Sequence, residues 1–382
     1  MPTRCPTDMR VAVLGLGERG LDLAARAVAF GHDVAAFDPD PRRIAAPDAV
    51  VAQALAGLGA LYDIALPEPG SFELAPGIAD AVARADLILN AAPDRPAFQQ
   101  KLIQAAFGAA RPDVPLVCLA RDLTLSDLRS CASRPADIAH LQMAAPGWLM
   151  PAARITGAPA ASTACAALGL VAQEPDALTQ ARGLMQATGG ETIAIIAALR
   201  SLKRGRHGHL GAALASHEVA LAPGPPEMSA QLRTLDRRVP PDWADYNAHM
   251  NEQFYLTCFS DATDRLLLWA GMDAACVAQG FSVFTVETHI RHLGEVALGA
   301  RITMDTRVIE GGGKRLHLWH ELRQAGGLCA TGEQLLLHMD LNERRVAPPP
   351  PQIAEFMAFA MQTQTDLPLP EGFGHHVNAP RS

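Results

Sequence analysis

Asp245, Asn247, His249 and Asn251 recur at every second position of VPPDWADYNAHMNEQFY, just ahead of a run with helical spacing, and Tyr255 follows one turn inside that run. Alternate residues of an extended loop point the same way. The four polar side chains therefore converge near a helix N-terminus, whose N–H groups and positive dipole end favour developing negative charge. A carboxylate that attacks or activates water, set beside donors for an incipient oxyanion, is what hydrolysis of an activated acyl group requires. The same residues also read as an ordinary helix start, with Asn251 as cap and Asp245 solvated.

A second constellation lies near the other end. Gly15-Leu-Gly17-Glu-Arg-Gly20 separates a predicted strand from a predicted helix, and the next predicted strand ends at Asp38. Such glycines permit a tight turn and close approach of a pyrophosphate to the helix N-terminus, while the acid accepts hydrogen bonds from ribose hydroxyls. This predicts NAD binding by Gly15, Gly17, Gly20 and Asp38. Asp38 favours NAD over NADP, although Arg42 and Arg43 tolerate a phosphate.

The elements that must position these groups follow from periodicity. RVAVLG, DVAAFD, DLILNAA, PLVCLA and DIAHLQM alternate with Ala-rich amphipathic stretches, the pattern of βαβ units and a parallel sheet. Residues 199–232, with a basic cluster, a short helical run and a Pro/Gly break, read as a linker. Beyond it come one strand (LRTLDRRV), one long helix (NEQFYLTCFSDATDRLLLWAG) and four alternating runs, FTVETHIRHL, ARITMDTRVIE, KRLHLWHELR and CATGEQLLLHMD. Gly311–Gly313 and Gly326–Gly327 suit tight antiparallel turns between the last three. The expected organisation is a Rossmann-like α/β domain over 1–198, then an α+β hotdog domain over 233–382 that ends in a helix and a Pro-rich tail.

Composition narrows the field. The chain has 382 residues, 49% hydrophobic, and its net charge of −8 is shared evenly by its halves, so no nucleic-acid footprint is expected. No apolar run is long enough to span a bilayer, and the start MPTRCPTDMR has no apolar leader core, which predicts a cytoplasmic protein without a membrane partner. Seven cysteines without C-x-x-C spacing predict reduced thiols rather than disulfides or zinc. In TVETHIRHL, Glu287 and His289 are candidate pocket residues or satisfied sheet polars. His289 and His292 face opposite ways, so no metal is expected. Lys314 and Arg315 either meet coenzyme A phosphates or are solvated hairpin charges.

On these motifs the chain resembles two families. RVAVLGLGERGLDLAARAVAFGHDVAAFDPDP and PGWLMPAARITG look like the NAD-binding domain of 3-hydroxyacyl-CoA dehydrogenases, and within them the L-carnitine dehydrogenases. That resemblance implies a catalytic His held by a Glu, with a Ser and an Asn at the substrate. Matching Pro146, Pro151 and Gly157 puts Arg154 at the Glu position and Ala145 at the Asn position. His140 matches the base only with two extra residues, and Gln142 takes its place without them. ARDLTLSD stands for the Ser-rich loop, Asn90 stands where a Glu is usual, and 199–232 is too short for the helical domain that closes the family's site. Loss of dehydrogenase chemistry is therefore expected.

DWADYNAHMNEQFY, FSDATDRL, TVETHIRHL, GKRLHLWHEL and EQLLLHMD resemble hotdog thioesterases, closely those fused behind carnitine dehydrogenases. The resemblance implies Asp245 as the catalytic carboxylate, betainyl-CoA as substrate, and a homodimer or larger assembly. A quaternary ammonium group is held best by ring faces, and Trp243, Tyr246 and Tyr255 flank the loop as candidates for such a cage.

Overall fold

The structure, a computed structural model, describes residues 9–40, 47–130, 132–170, 175–221 and 232–374. Two compact units divide the chain; Met1–Tyr62 and Leu66–Leu221 make the first, and the remainder the second. Arg42, Arg43 and most of the Pro/Gly break lie outside the described residues.

The first unit is a seven-stranded sheet of β1 (Arg10–Leu14), β2 (Asp33–Phe37), β3 (Phe72–Leu74), β4 (Leu87–Asn90), β5 (Leu116–Cys118), β6 (Ile138–Met143) and β7 (Ala153–Gly157), in the order β3-β2-β1-β4-β5-β6-β7. All neighbours are parallel except β7, which runs antiparallel to β6. The helices are α1 (Glu18–Ala29), α2 (Pro47–Leu61), α3 (Ile78–Val82), α4 (Pro96–Ala109), α5 (Leu125–Ser130), α6 (Pro159–Ala167), α7 (Pro175–Ala187), α8 (Thr192–Gly205) and α9 (Gly208–Leu221). Val11, Val13, Leu87 and Leu89 join one apolar cluster, while Ala12, Leu14, Ile88 and Leu116 join another. Adjacent strand residues feed opposite clusters, so the sheet is covered on both faces, as parallel sheets require.

The expected linker starts inside a helix. Residues 192–221 fold as α8 and α9 within the first unit, and the basic cluster is the reason. Arg200 donates to the Ala60 carbonyl (2.9 Å) and Lys203 to that of Leu61 (2.8 Å), capping the last turn of α2 with buried cations. Lys203 also pairs with buried Glu218 of α9 at 2.6 Å, and His217 Nδ1 lies 3.1 Å from the Tyr62 hydroxyl. Burial raises the Tyr62 phenol and pushes the His217 imidazole down to about 4.

In the second unit β8 (Leu232–Arg238) leads to α10 (Gln253–Trp269) and the short α11 (Ala274–Ala278). Then follow β9 (Phe281–His292), β10 (Arg301–Glu310), β11 (Arg315–Gln324), β12 (Gly327–Asp340), β13 (Arg345–Val346) and α12 (Pro351–Thr363). The sheet is antiparallel, in the order β9-β12-β11-β10-β8, with β13 on the end of β12. It wraps α10 as a hotdog fold does. The approach is closest at Gly332, where a Cβ would lie 2.9 Å from the Phe259 ring. β9 is an edge strand, and Phe284 and Val286 on it are about half exposed.

A polar row crosses this core. The hydroxyls of Thr234 and Thr306 lie 2.6 Å apart, and Thr306 Oγ1 lies 2.8 Å from His320 Nδ1. His320 Nε2 meets Gln334 Oε1 at 3.2 Å, and that oxygen also accepts from Thr263 of α10 at 2.7 Å. All five residues are buried. The expected Pro-rich tail is pinned as far as Gly374. Arg307 donates to the Leu367 and Pro368 carbonyls, Phe373 packs on His317, and the Gly374 N–H donates to buried Glu333 at 3.0 Å.

Candidate functional sites

Asp245 lies between a short 3₁₀ turn, Pro241–Trp243, and α10. Its Oδ1 accepts the backbone N–H groups of Asn247 (2.8 Å) and His249 (3.0 Å), and its own N–H donates to the His249 carbonyl (2.8 Å). Ala248 takes a positive φ of 62° to close the turn. The loop thus holds one carboxylate oxygen in place while half-burying the residue. His249 Nε2 lies 3.5 Å from Glu295, and Asn247 is exposed beside Asp245.

Two details differ from expectation. The Asn251 N–H donates to the Trp243 carbonyl (2.9 Å) and its side chain accepts the Gln253 N–H (3.1 Å), while the N-cap position itself falls on Glu252, whose side chain makes no cap bond. The Phe254 N–H is also bonded, to the Asn251 carbonyl. The helix end is therefore largely satisfied within the chain, and donors for a substrate oxygen have to be sought among side chains such as Asn247.

The three candidate cage rings do not converge within one chain. Trp243 is 1% exposed, stacked on Phe254 (4.7 Å, 5°) and under the Arg237 guanidinium at 4.4 Å. Tyr255 is buried edge-on to His292 at 4.6 Å, its hydroxyl on the Gly294 carbonyl, and burial pushes its phenol up to about 12. Tyr246 is 96% exposed. Spacing brought these rings together in sequence, but the tight turn sends neighbouring side chains in different directions. Glu287 and His289 lie on β9 opposite Leu335 and Glu333, on the sheet face away from α10. Arg315 lies 3.5 Å from Glu310, which leaves Lys314 as the exposed hairpin cation. Among the described residues no group of three or more metal-type side chains occurs, and the described cysteines are free and buried.

In the first unit the glycine loop fits a dinucleotide. Gly15 has φ +95°, a Cβ at Gly20 would lie 1.9 Å from the Gly15 carbonyl oxygen, and Gly17 caps α1 without a side chain in the way. Asp38 is buried, its Oδ2 accepting the Leu16 N–H (2.7 Å) and its Oδ1 that of Asp40 (2.9 Å), which binds the ribose-side acid to the loop. Gly15, Gly17, Gly20 and Asp38 would hold NAD, which when bound supplies hydride transfer. Glu18, the first residue of α1, is an acidic side chain in its first turn and opposes a phosphate there.

Beside the loop lies a cavity of about 370 Å³ lined by Glu18, Arg19, Asp22, Arg121, Gln142 and Arg182, among others. A second, of about 330 Å³, is lined by Arg121, His140, Gln142, Arg154 and Thr156 with the 122–125 loop. Strand register pairs Gln142 with Arg154 and His140 with Thr156. His140 Nε2 is committed to the Ala120 carbonyl at 2.6 Å. Asn90 is buried and bonded to Gln99 (2.6 Å), a structural part of β4 rather than a lining residue. Sequence reasoning missed Arg121 and Arg182, which only the fold brings to these walls.

Comparison with known proteins accounts for both units. Residues 10–171 match the family model "3-hydroxyacyl-CoA dehydrogenase, NAD binding domain", and residues 239–357 match "Thioesterase-like superfamily". A "Betainyl-CoA thioesterase" of Pseudomonas aeruginosa is 38% identical over 40% of this chain and 98% of its own length. An "L-carnitine dehydrogenase/betainyl-CoA thioesterase" of Ruegeria pomeroyi is 42% identical over 49% of this chain, a match that spans only 39% of that relative. One of the same name from Agrobacterium fabrum is 29% identical over 98% of this chain and 99% of its own. That alignment runs to 479 positions against a 382-residue chain, so roughly a hundred of the relative's positions have no counterpart here. End-to-end similarity in the same domain order, with the thioesterase relative covered almost whole, shows that this chain belongs to the L-carnitine dehydrogenase/betainyl-CoA thioesterase family.

Proposed function

We propose that the chain hydrolyses a short acyl-CoA, betainyl-CoA in the first instance, to the free acid and coenzyme A. The observation that carries this reading is the Asp245 loop, a carboxylate with one oxygen fixed by two backbone N–H groups at the head of α10 in a thioesterase-like domain. With Oδ1 held, Oδ2 is the oxygen that acts. As a general base it takes a proton from water while the water oxygen bonds to the thioester carbon; as a nucleophile it bonds to that carbon itself. In either case the tetrahedral intermediate collapses with cleavage of the C–S bond, and the departing thiolate takes up a proton; on the nucleophilic route water then hydrolyses the acyl–aspartyl anhydride, which releases the acid and restores the Asp245 carboxylate. Asn247 is the donor best placed in sequence to meet the oxyanion, and His249, held by Glu295, orients the substrate.

A second copy of the chain completes the assembly in this proposal. β9 is a 12-residue strand paired with β12 on one edge, and Phe284 and Val286 give its free side an apolar surface, a combination that favours strand pairing between copies. In the first unit the reading is NAD binding without alcohol oxidation. Gln142 and Arg154 are register partners; on the match without extra residues they take the places of the base and its orienting carboxylate, and neither a carboxamide nor a guanidinium accepts a proton near neutral pH, while the alternative base His140 faces Thr156 and no carboxylate across the strands.

The test is to incubate the protein with a panel of acyl-CoA thioesters and follow free thiol. Release with betainyl-CoA is expected, and silence across the panel would refute the hydrolase. A carnitine-dependent rise in nicotinamide absorbance, abolished by Gly17→Val, would restore the dehydrogenase.

A further inference from the structure

We propose that Arg237 and Phe254 are positioning residues for the Asp245 carboxylate, acting through the ring of Trp243; the proposal rests on the hydrolase reading above. Trp243 ends the 3₁₀ turn two residues before Asp245, and Phe254 lies in the first turn of α10, just past the loop. Within the loop, backbone bonds fix the shape. Asp245 gathers the N–H groups of Asn247 and His249, Ala244 and Met250 form an antiparallel bridge, and the Asn251 N–H donates to the Trp243 carbonyl at 2.9 Å. On one flank the Met250 N–H donates to the Val296 carbonyl at 2.9 Å and His249 bridges to Ala297, which ties the loop to the segment after β9.

At the base of the loop the setting falls to side chains. The Phe254 ring is parallel to Trp243 at 4.7 Å, and the Arg237 guanidinium lies over the same indole at 4.4 Å. Two flat groups over one ring occupy its two faces, so Trp243 is clamped between β8 and the head of α10. Arg237 is buried and its charge is met by Asp63 of the second unit and, at 3.6 Å, by Asp261 of α10, while its Nε donates to the Arg238 carbonyl at 3.3 Å. As plain filling this is expensive, because an apolar side chain would occupy the space without desolvating a charge. What the guanidinium adds is a plane held by its partners, and a fixed cationic plane over an electron-rich face holds an indole in one orientation. The carboxylate stands two residues further on, and a misplacement of about 1 Å in a reacting group can cost on the order of a hundredfold in rate. Loosening the clamp would therefore tilt Asp245 away from the thioester carbon without removing any group that touches the substrate.

Thiol release from betainyl-CoA by the full chain tests the clamp. Arg237→Lys keeps the charge and loses the plane, and Phe254→Leu keeps an apolar side chain and loses the ring. Each should lower kcat about tenfold with KM changed by less than about twofold. In the Asp245→Asn background the same substitutions should alter the residual rate by less than about twofold, because the group they position is gone. A loss of folded protein would scale both backgrounds alike. Full kcat in both variants, a loss carried by KM, or an equal loss with and without the Asp245 carboxylate would each overturn the proposal. Absence of thiol release from the unaltered chain would instead refute the hydrolase, and the proposal with it.

Discussion

Two strand-to-helix turns in this molecule solve opposite problems. At Gly15–Gly20 glycine holds the turn positions and the helix cap, and the head of α1 is left open to an anion from outside. At Asp245–Asn251 the protein supplies its own carboxylate and spends its backbone donors on holding it. A turn that receives a ligand's charge must be bare, whereas one that presents a charge must be crowded. The difference extends to the walls: in the first unit Gln142 and Arg154, register partners on β6 and β7, line an open cavity, while the second unit holds its carboxylate within the loop itself.

The sharpest break of this contrast is Asp245→Asn. Turnover of acyl-CoA should fall at least a hundredfold, about 3 kcal/mol of barrier, with NADH affinity unchanged in the same preparation. Retention of most activity would remove Asp245 from the chemistry.

Acid should separate the two units next. His320 and His338 in the second unit, and His217 in the first, are held down to about 4 by burial. Each imidazole protonates more readily in the unfolded chain, near its ordinary 6.5. Its contribution is therefore whole above that pH and lost as pH falls from 6.5 towards 4. His338→Met should recover about 2 kcal/mol of second-unit stability near the acid end of that window, read by hydrogen exchange peptide by peptide. An unchanged acid profile would show that His338 is not the group responsible. Both of its ring nitrogens are buried without a hydrogen bond, which makes it the better target of the two.

Two glycines sharpen the comparison. Gly20→Ala puts a methyl into the Gly15 carbonyl and should weaken NADH at least tenfold without touching hydrolysis. Gly332→Ala pushes against the Phe259 ring and should cost about 1–2 kcal/mol of second-unit stability while NADH still binds. Thermal melts and fluorescence titration of both variants check the crossing. The smallest effect belongs to Glu18→Gln, which removes the charge at the head of α1 and should tighten NADH two- to threefold. Weaker binding would mean that Glu18 assists the cofactor.

Much of this was legible before the fold. Alternation gave β1, β2, β4, β5 and β6, and the long helix with its strands fixed the second unit, because burial imposes those periods. Residues 199–221 misled because Arg200 and Lys203 look solvated in sequence, yet they cap carbonyls of α2 some 140 residues earlier. The ring cage misled because Trp243 and Tyr246, three residues apart, turn one into the core and one into solvent. The arginine-lined cavity was invisible because Arg121 and Arg154 lie on separate strand ends.

The polar row beneath α10 has a direction. Gln334 Oε1 can only accept, so His320 Nε2 carries the hydrogen and Nδ1 must accept from Thr306; the Thr306 oxygen is then free to accept from Thr234. Four neighbouring strands, β8, β10, β11 and β12, are thus keyed by one ordered sequence of donors and acceptors. A slip of any one strand by a single residue would turn its key outward and strand its neighbours' polar groups in the core. Apolar side chains tolerate small shifts and these groups do not, so the row acts as an alignment pin that makes one strand pairing far more favourable than its near copies.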